Sequence, residues 1–166
     1  MLLLAAGSVL AQGAAPAGPT DPQIAHIVVT ANQVDIDAGK LAESKGSNAE
    51  VKAFGKRMVT DHTGVNAQAT ALVKKLGVKP EDNPTSQSLK KGGEENVKHL
   101  QSLKGAAFDK AYIEHEVAYH EQVLDAVDKT LVPNAKNEEL KGLIVKVRPA
   151  FVADLEHAKQ IQAKLK

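Results

Sequence analysis

Two histidines and two carboxylates stand at positions where the surrounding pattern predicts apolar side chains. His62 and His120 each interrupt a run of apolar residues that recur at three- and four-residue steps, and Asp35 interrupts a similar run. Glu116 precedes His120 by four residues and therefore shares its helix face. Imidazole and carboxylate together suit Zn, Cu, Fe or Ni, and bundles commonly hold such ions between facing helices. These four residues predict a site for one transition-metal ion.

A second polar group is predicted on the last helix, where Asp154 and His157 are three residues apart. Counting from the helix ends at 1.5 Å per residue places the first four residues in one layer ~8 Å thick. The same count places Asp154 and His157 at another level, near Tyr112 and Asp109. The sequence therefore predicts one or two polar layers, with Asp154 and His157 as further candidate metal ligands.

These polar residues are compatible with three classes of function. The first is a protein that binds a transition metal or a small ligand. The second is a non-catalytic envelope or stress-associated interaction protein, whose buried histidines are satisfied by hydrogen bonds within a structural network. The third is an oxidase- or peroxidase-type enzyme, which needs two adjacent ions or an open coordination position. The chain has no Gly-x-Ser-x-Gly, phosphate loop or His-Glu-x-x-His motif, so no catalytic residue is predicted.

Long amphipathic helices are expected to position these residues. Apolar residues at helical spacing predict four main helices, at 21–46, 47–77, 106–131 and 137–165. Asp21, as a cap, and Pro22, at the first helical position, are expected to start the first helix. Ser47 and Glu50 form a predicted capping box at the start of the second. Pro149 falls inside the fourth and is expected to kink it.

The connections between these helices predict the fold. Short loops make the first pair and the last pair antiparallel. A long connection joins the two pairs and carries a weaker helix at 87–103. No segment shows the two-residue alternation of strands. The predicted fold is all-α: a ferritin-like antiparallel four-helix bundle with one long crossover that contains a short extra helix.

Composition narrows the class of protein. The 166 residues are enough for one domain with a substantial core. The balance of 21 basic and 20 acidic residues argues against nucleic-acid binding, which usually requires a basic excess. The absence of cysteine excludes disulfides and thiolate metal sites. The oligomeric state is left open.

The N-terminus predicts export. A short apolar run with small residues around Ala11 is typical of a signal peptide cleaved near that residue, followed by a linker rich in Ala, Gly and Pro. We therefore divide the chain into a signal peptide and linker at 1–19 and a bundle domain at 20–166. The expected location is periplasmic or secreted. No segment of the mature chain is apolar enough to cross a membrane.

Several short motifs, taken in order, resemble a known family. They are Met58-Val-Thr-Asp61-His62, Phe108-Asp109-x-x-Tyr112, His120-Glu121, and Arg148-Pro149 followed by His157. Their order and spacing resemble the bacterial ferritin-like family called domain of unknown function four-one-four-two, over about residues 22–165.

The resemblance implies an exported bundle protein of the outer membrane or periplasm, without an established activity. In the interaction-protein alternative, the expected partner is an envelope protein. The acidic residue of the family's first helix corresponds here to Asp35, a shorter side chain than glutamate. Di-iron ferritin-like proteins need Glu-x-x-His on two helices, and only Asp154-x-x-His157 approximates that motif, once. Ferroxidase activity and iron storage are therefore not predicted. The family pattern carries over to Asp61, His62, Asp109, Tyr112, His120, Glu121, Pro149 and His157.

Overall fold

The computed structural model describes residues 18–165, and all regular secondary structure in that range is helical, which confirms the predicted all-α class. Residues 1–17 of the predicted signal peptide and linker, including the cleavage point near Ala11, lie outside the described residues. A π-helical segment, Val127–Leu131, and a short turn, Val132–Asn134, extend the fourth helix. The five helices are α1 (Asp21–Lys45), α2 (Ala49–Lys75), α3 (Pro84–Ser102), α4 (Gly105–Ala126) and α5 (Glu138–Lys164).

Side-chain contacts define the directions of the main helices. Asn66 donates to the carbonyl of Val29, whereas further along α1 Asn32 contacts His62, so α1 and α2 are antiparallel. The ion pairs Lys159–Glu121 and Arg148–Asp128 show in the same way that α4 and α5 are antiparallel. The pairs Lys75–Glu139 and Lys164–Glu50, one at each end, make α2 and α5 antiparallel as well.

The connecting helix α3 lies along α1 and runs in the same direction. Asp82, just before α3, is 3.8 Å from His26 near the start of α1. At the other end, Lys45 donates to the carbonyl of Gln101 at 2.7 Å. The crossover therefore traverses the bundle and returns the chain to the end where α2 began, an order compatible with a ferritin-like bundle. Its helix starts at Pro84, earlier than the predicted 87, because the Asn83 side chain caps it.

The core is divided along the bundle axis. One apolar cluster includes Phe54, Phe108 and Ile113, and a second, toward the other end, includes Ile24 and Leu140. Between them, each of α1, α2, α4 and α5 contributes buried polar residues to the middle of the bundle. These residues are Asn32, Asp35, His62, Glu116, His120 and Asp154.

Close approach of α1 and α2 at one end depends on glycine. A Cβ atom on Gly55 would lie 2.7 Å from both the carbonyl oxygen of Gly39 and the Cβ of Ala42. Because a real Cβ does not tolerate such distances, a side chain at Gly55 would separate the two helices. Their separation in turn sets the contact between Asn32 and His62 further along.

Two predicted caps are wrong in detail. Asn48, not Ser47, is the N-cap of α2, and its side chain accepts from the backbone N–H groups of Glu50 and Val51. Ser47 instead donates its backbone N–H and its hydroxyl to the carboxylate of Asp109 on α4.

Asp21, the predicted cap of α1, is instead the first residue of that helix, after Thr20. Its carboxylate accepts from the backbone N–H groups of Lys136 and Asn137, at 2.8 and 3.0 Å. The side chains of Ser47 and Asp21 therefore bond to other helices or loops and do not cap their own helices.

Within residues 18–165 no helix has the length and hydropathy of a membrane-spanning segment.

Replacement of Asp109 with alanine is expected to lower the free energy of unfolding by about 2–4 kcal/mol. The buried Asp109 carboxylate accepts from the backbone N–H groups of Ser47 and Asn48, and both donors would lose their partner. Urea unfolding followed by circular dichroism measures the change. Asp125→Ala, on the exposed face of the same helix, is the matched control and should change stability by less than about 0.5 kcal/mol. Equal effects of the two substitutions would contradict the structural role of Asp109.

Candidate metal centre

Three side chains from three helices converge in the middle of the bundle. Asp35 of α1, His62 of α2 and His120 of α4 each offer a ligand atom, and these atoms all lie within 4.8 Å of one another. Asp35 Oδ2 is 3.5 Å from His62 Nε2, and the rings of His62 and His120 are 5.7 Å apart. All three side chains are at most 3% exposed. This is the only such group of His and acidic residues within residues 18–165.

A buried amide fixes the orientation of His62. Its Nδ1 is 2.7 Å from Asn32 Oδ1, while the amide nitrogen of Asn32 donates to the carbonyl of Val28 at 2.8 Å. Because Asn32 Oδ1 can only accept, His62 Nδ1 carries the proton. The Nε2 atom then holds a free lone pair, and it has no hydrogen-bond partner among the described residues. Phe151 stacks on the ring, nearly parallel at 5.3 Å, and holds its plane.

His120 is held in the same tautomer by a different partner. Its Nδ1 is 3.0 Å from the backbone carbonyl oxygen of Glu116, one turn earlier, and must donate to it. Its Nε2 is likewise without a hydrogen-bond partner among the described residues. Metal-bound histidines typically donate their other ring N–H to a carbonyl or carboxylate in this way, which fixes the ring and the tautomer. Both histidines are thus oriented as neutral nitrogen donors.

Burial keeps these imidazoles neutral. Loss of hydration, together with the neighbouring His120, lowers the pKa of His62 to about 3. Burial also lowers the pKa of His120 to about 4, against the raising effect of its bond to the Glu116 carbonyl. At neutral pH both rings therefore present lone pairs, the form that binds metal.

The carboxyl groups are perturbed in the opposite direction. Burial, followed by the nearby Glu116, raises the pKa of Asp35 well above its usual range. Burial raises the pKa of Glu116 to about 8. Burial, then the charges of Glu116, Asp35 and Asp154, raises the pKa of the Tyr112 hydroxyl. Without a cation, this part of the core therefore holds protons on its acids near neutral pH, and a cation would favour their release.

The predicted second layer lies beside the first and reaches the surface. Asp154 is fully buried, and Arg57, with a side chain 38% exposed, is 2.7 Å from its Oδ1. Burial raises the pKa of Asp154 to about 6, although Arg57 lowers it. The same guanidinium contacts Asp61 at 3.2 Å and Nδ1 of His157 at 3.3 Å. Arg57 therefore links the buried acid to half-exposed polar groups.

The predicted metal ligands fall into three places. Asp35, His62 and His120 form the group with ligand spacing. Glu116 adjoins it, with Oε2 3.6 Å from His120 Nδ1, but is outside that group. Asp154 and His157 lie in the layer around Arg57, where the edge of the His157 ring meets Phe54.

Sequence reasoning missed two residues that shape this centre, Asn32 and Arg57. Asn32 is three residues before Asp35, on the same face of α1, and a polar residue at that spacing was the available signal. Arg57 is four residues before Asp61, a spacing that predicts only an ion pair on the helix surface. Its contact with Asp154 joins residues 97 positions apart, which no local pattern indicates.

Comparison with known proteins assigns the chain to a family without adding a function. No curated protein and no solved structure matches the chain. A family model described as Domain of unknown function (DUF4142) matches residues 7–161. This range includes every residue of the buried centre and all but the last few residues of α5. The chain therefore belongs to the DUF4142 family, as its motifs predicted.

Proposed function

We propose that this protein is an exported helical bundle that binds one divalent transition-metal ion through Asp35, His62 and His120. The observation that carries the proposal is the pair of Nε2 atoms, on His62 and His120, that are buried, neutral and without a hydrogen-bond partner among the described residues. Imidazole nitrogen and carboxylate oxygen suit Zn, Cu, Fe and Ni. We propose the periplasm or the extracellular space as its location, supported by the signal-like N-terminal sequence.

The spacing of the donor atoms supports this proposal. Ligands at 2.0–2.2 Å from a tetrahedral ion are separated from one another by roughly 3.4 Å. The distance between Asp35 Oδ2 and His62 Nε2, 3.5 Å, is already close to that value. The whole group lies within 4.8 Å, so the widest pair would close by at most roughly 1.4 Å on binding, a shift within reach of side-chain rotation.

The alternative of a purely structural polar network is less well supported. A buried network stabilises a fold only when its members are hydrogen-bonded, and each unsatisfied group costs about 1–3 kcal/mol. Here the Nε2 atoms of His62 and His120 have no hydrogen-bond partner of standard geometry among residues 18–165. A cation at the centre would satisfy both atoms at once. Three protein ligands also leave a coordination position for an external ligand.

Metal titration of the untagged protein tests the proposal. The protein would be purified from the periplasm, analysed for metals and stripped with a chelator. It would then be titrated with Zn²⁺, Cu²⁺, Fe²⁺ and Ni²⁺ against a competing chelator, and with Co²⁺ as a spectroscopic probe. We expect one tightly bound equivalent, and for Co²⁺ the visible absorption of a site with low coordination number. The absence of stoichiometric uptake of Zn, Cu, Fe and Ni would contradict the proposal. It would favour an envelope interaction protein with a polar core.

A further inference from the structure

A cavity of about 320 Å³ adjoins the centre, and its lining includes both buried and exposed residues. Residues of all five helices line it, so it is enclosed by the main fold and not by one loop. Its volume is at the lower end of the range typical of small-molecule sites, ~300–1,000 Å³. The helices that bring the metal ligands together therefore also leave room for a second molecule.

The two ends of this cavity differ in chemistry. Its inner end is formed by Asn32, Asp35 and His62, the polar residues of the centre. Its exposed lining residues are Thr85 of α3, Gln122 of α4 and Thr130 of the π-helical segment, and they mark the side where the cavity reaches solvent. The wall between these ends is almost entirely apolar and includes Ile27, Val65, Val127, Leu131, Ile144 and Phe151. Such a cavity fits an apolar chain with a single polar head at its inner end.

The backbone is irregular at the same place. The π-helical segment Val127–Leu131 follows α4, and Val127, Thr130 and Leu131 from this segment line the cavity. Single π-helical turns are rare and occur frequently at functional sites. This backbone feature supports a ligand-binding role independently of the cavity's shape.

The open coordination position of a loaded centre selects the head group. A divalent ion held by Asp35, His62 and His120 has room for a further ligand, and a carboxylate oxygen is a donor that such ions accept. We propose that the cavity binds a medium-chain carboxylic acid, with its tail along the apolar wall and its carboxylate on the metal. The position of the head rests on the proposed metal site, whereas the fit of the tail depends on the cavity alone.

Binding of octanoate, octanol and acetate to the chelated and the zinc-loaded protein tests this inference, with calorimetry as the measurement. We expect octanoate to bind the zinc-loaded protein at least about tenfold more tightly than the chelated protein, because a charged contact forms only in the former. Octanol should bind both forms alike. Acetate should bind at least about a hundredfold more weakly than octanoate, because it lacks the methylenes that the wall would bury.

A cavity-filling substitution separates the cavity from the metal site. Ala126 lines the cavity and is not a metal ligand, whereas Ala118 lies on the exposed face of α4. Ala126→Phe should weaken octanoate binding at least about tenfold, with zinc affinity unchanged, and Ala118→Phe should change neither. Zinc binding with no octanoate binding, or with octanoate binding insensitive to Ala126→Phe, overturns this inference and leaves the metal proposal intact. The opposite outcome is a native protein that does not bind zinc, while the chelated protein still binds octanoate and octanol in a way that Ala126→Phe weakens. That outcome overturns the metal proposal and supports the cavity as the tail site.

Discussion

Replacement of His62 with alanine is expected to weaken zinc binding more than about a hundredfold while the helical fold remains. His62 supplies one of three ligand atoms, and its Nε2 is oriented by the bond from Nδ1 to Asn32. Loss of such an orienting partner alone typically costs 10–100-fold in metal affinity, so loss of the ligand itself should cost more. Chelator competition measures the zinc affinity, and far-ultraviolet circular dichroism measures helix content.

Thermal unfolding gives a second readout of the same change. At a free zinc concentration about a hundredfold above its dissociation constant, a folded-state site stabilises a protein by about 2.7 kcal/mol. The native protein should show this stabilisation and His62→Ala should lose it. His99→Ala is the matched control, because His99 is exposed on α3 and belongs neither to the group of ligand atoms nor to the cavity lining. Zinc affinity that is unchanged in His62→Ala would exclude Asp35, His62 and His120 as the site.

The sequence predicted the middle layer well because helical geometry is regular. Once the helix ends are known, counting at 1.5 Å per residue gives the depth of each side chain in an antiparallel bundle. This count placed Asp35, His62, Glu116 and His120 in one layer, and in the structure these side chains lie together in the middle of the bundle. Their role as metal ligands remains a proposal.

Features that depend on tertiary contacts were not predictable in this way. Ser47 and Asn48 are both good capping residues, and Asp109, 62 positions after Ser47, decides which of them caps α2. The cavity likewise depends on side chains from five helices and on the π-helical segment Val127–Leu131, which has no signature in residue type. Local periodicity places residues on faces, but it does not reveal which faces leave space between them.

The metal-free protein is expected to lose stability as the pH rises from 6.5 to 8. Burial raises the pKa of Glu116 to about 8 and raises that of Asp35 in the same direction, so the folded state holds protons that the unfolded chain has already released. Stability is therefore greatest below the unfolded pKa of these acids, and it is lost as the pH rises through their folded pKa. One such proton changes the free energy of unfolding by about 1.4 kcal/mol per pH unit, or up to roughly 2 kcal/mol over this interval.

Three histidines that face Glu116 oppose this loss near the lower limit of the interval. Burial lowers the pKa of His62 to about 3 and that of His120 to about 4. Burial also lowers the pKa of His115, whose Nδ1 is 4.0 Å from Glu116 Oε1. Because the unfolded pKa of histidine is about 6.5, these rings raise stability between pH 6.5 and about 7.5 and add little to the slope above it. Asp154, with a pKa raised to about 6, is largely ionised above pH 7. The Tyr112 hydroxyl has a pKa raised above 10 and stays neutral throughout. The histidines titrate alike in the native protein and in Glu116→Gln, so the difference in slope between these two proteins measures the contribution of Glu116.

Urea unfolding in the presence of a chelator, at pH 6.5 and at pH 8, measures this loss. Glu116→Gln should remove most of it, because glutamine keeps the shape of the side chain but does not titrate. Glu114→Gln, an exposed position on the same helix, should retain it in full. Zinc should reverse the trend, because metal binding favours the deprotonated carboxylate that a higher pH supplies. Equal slopes in the native protein and in Glu116→Gln would contradict the raised pKa of Glu116, and with it the expectation that this acid is protonated in the metal-free centre.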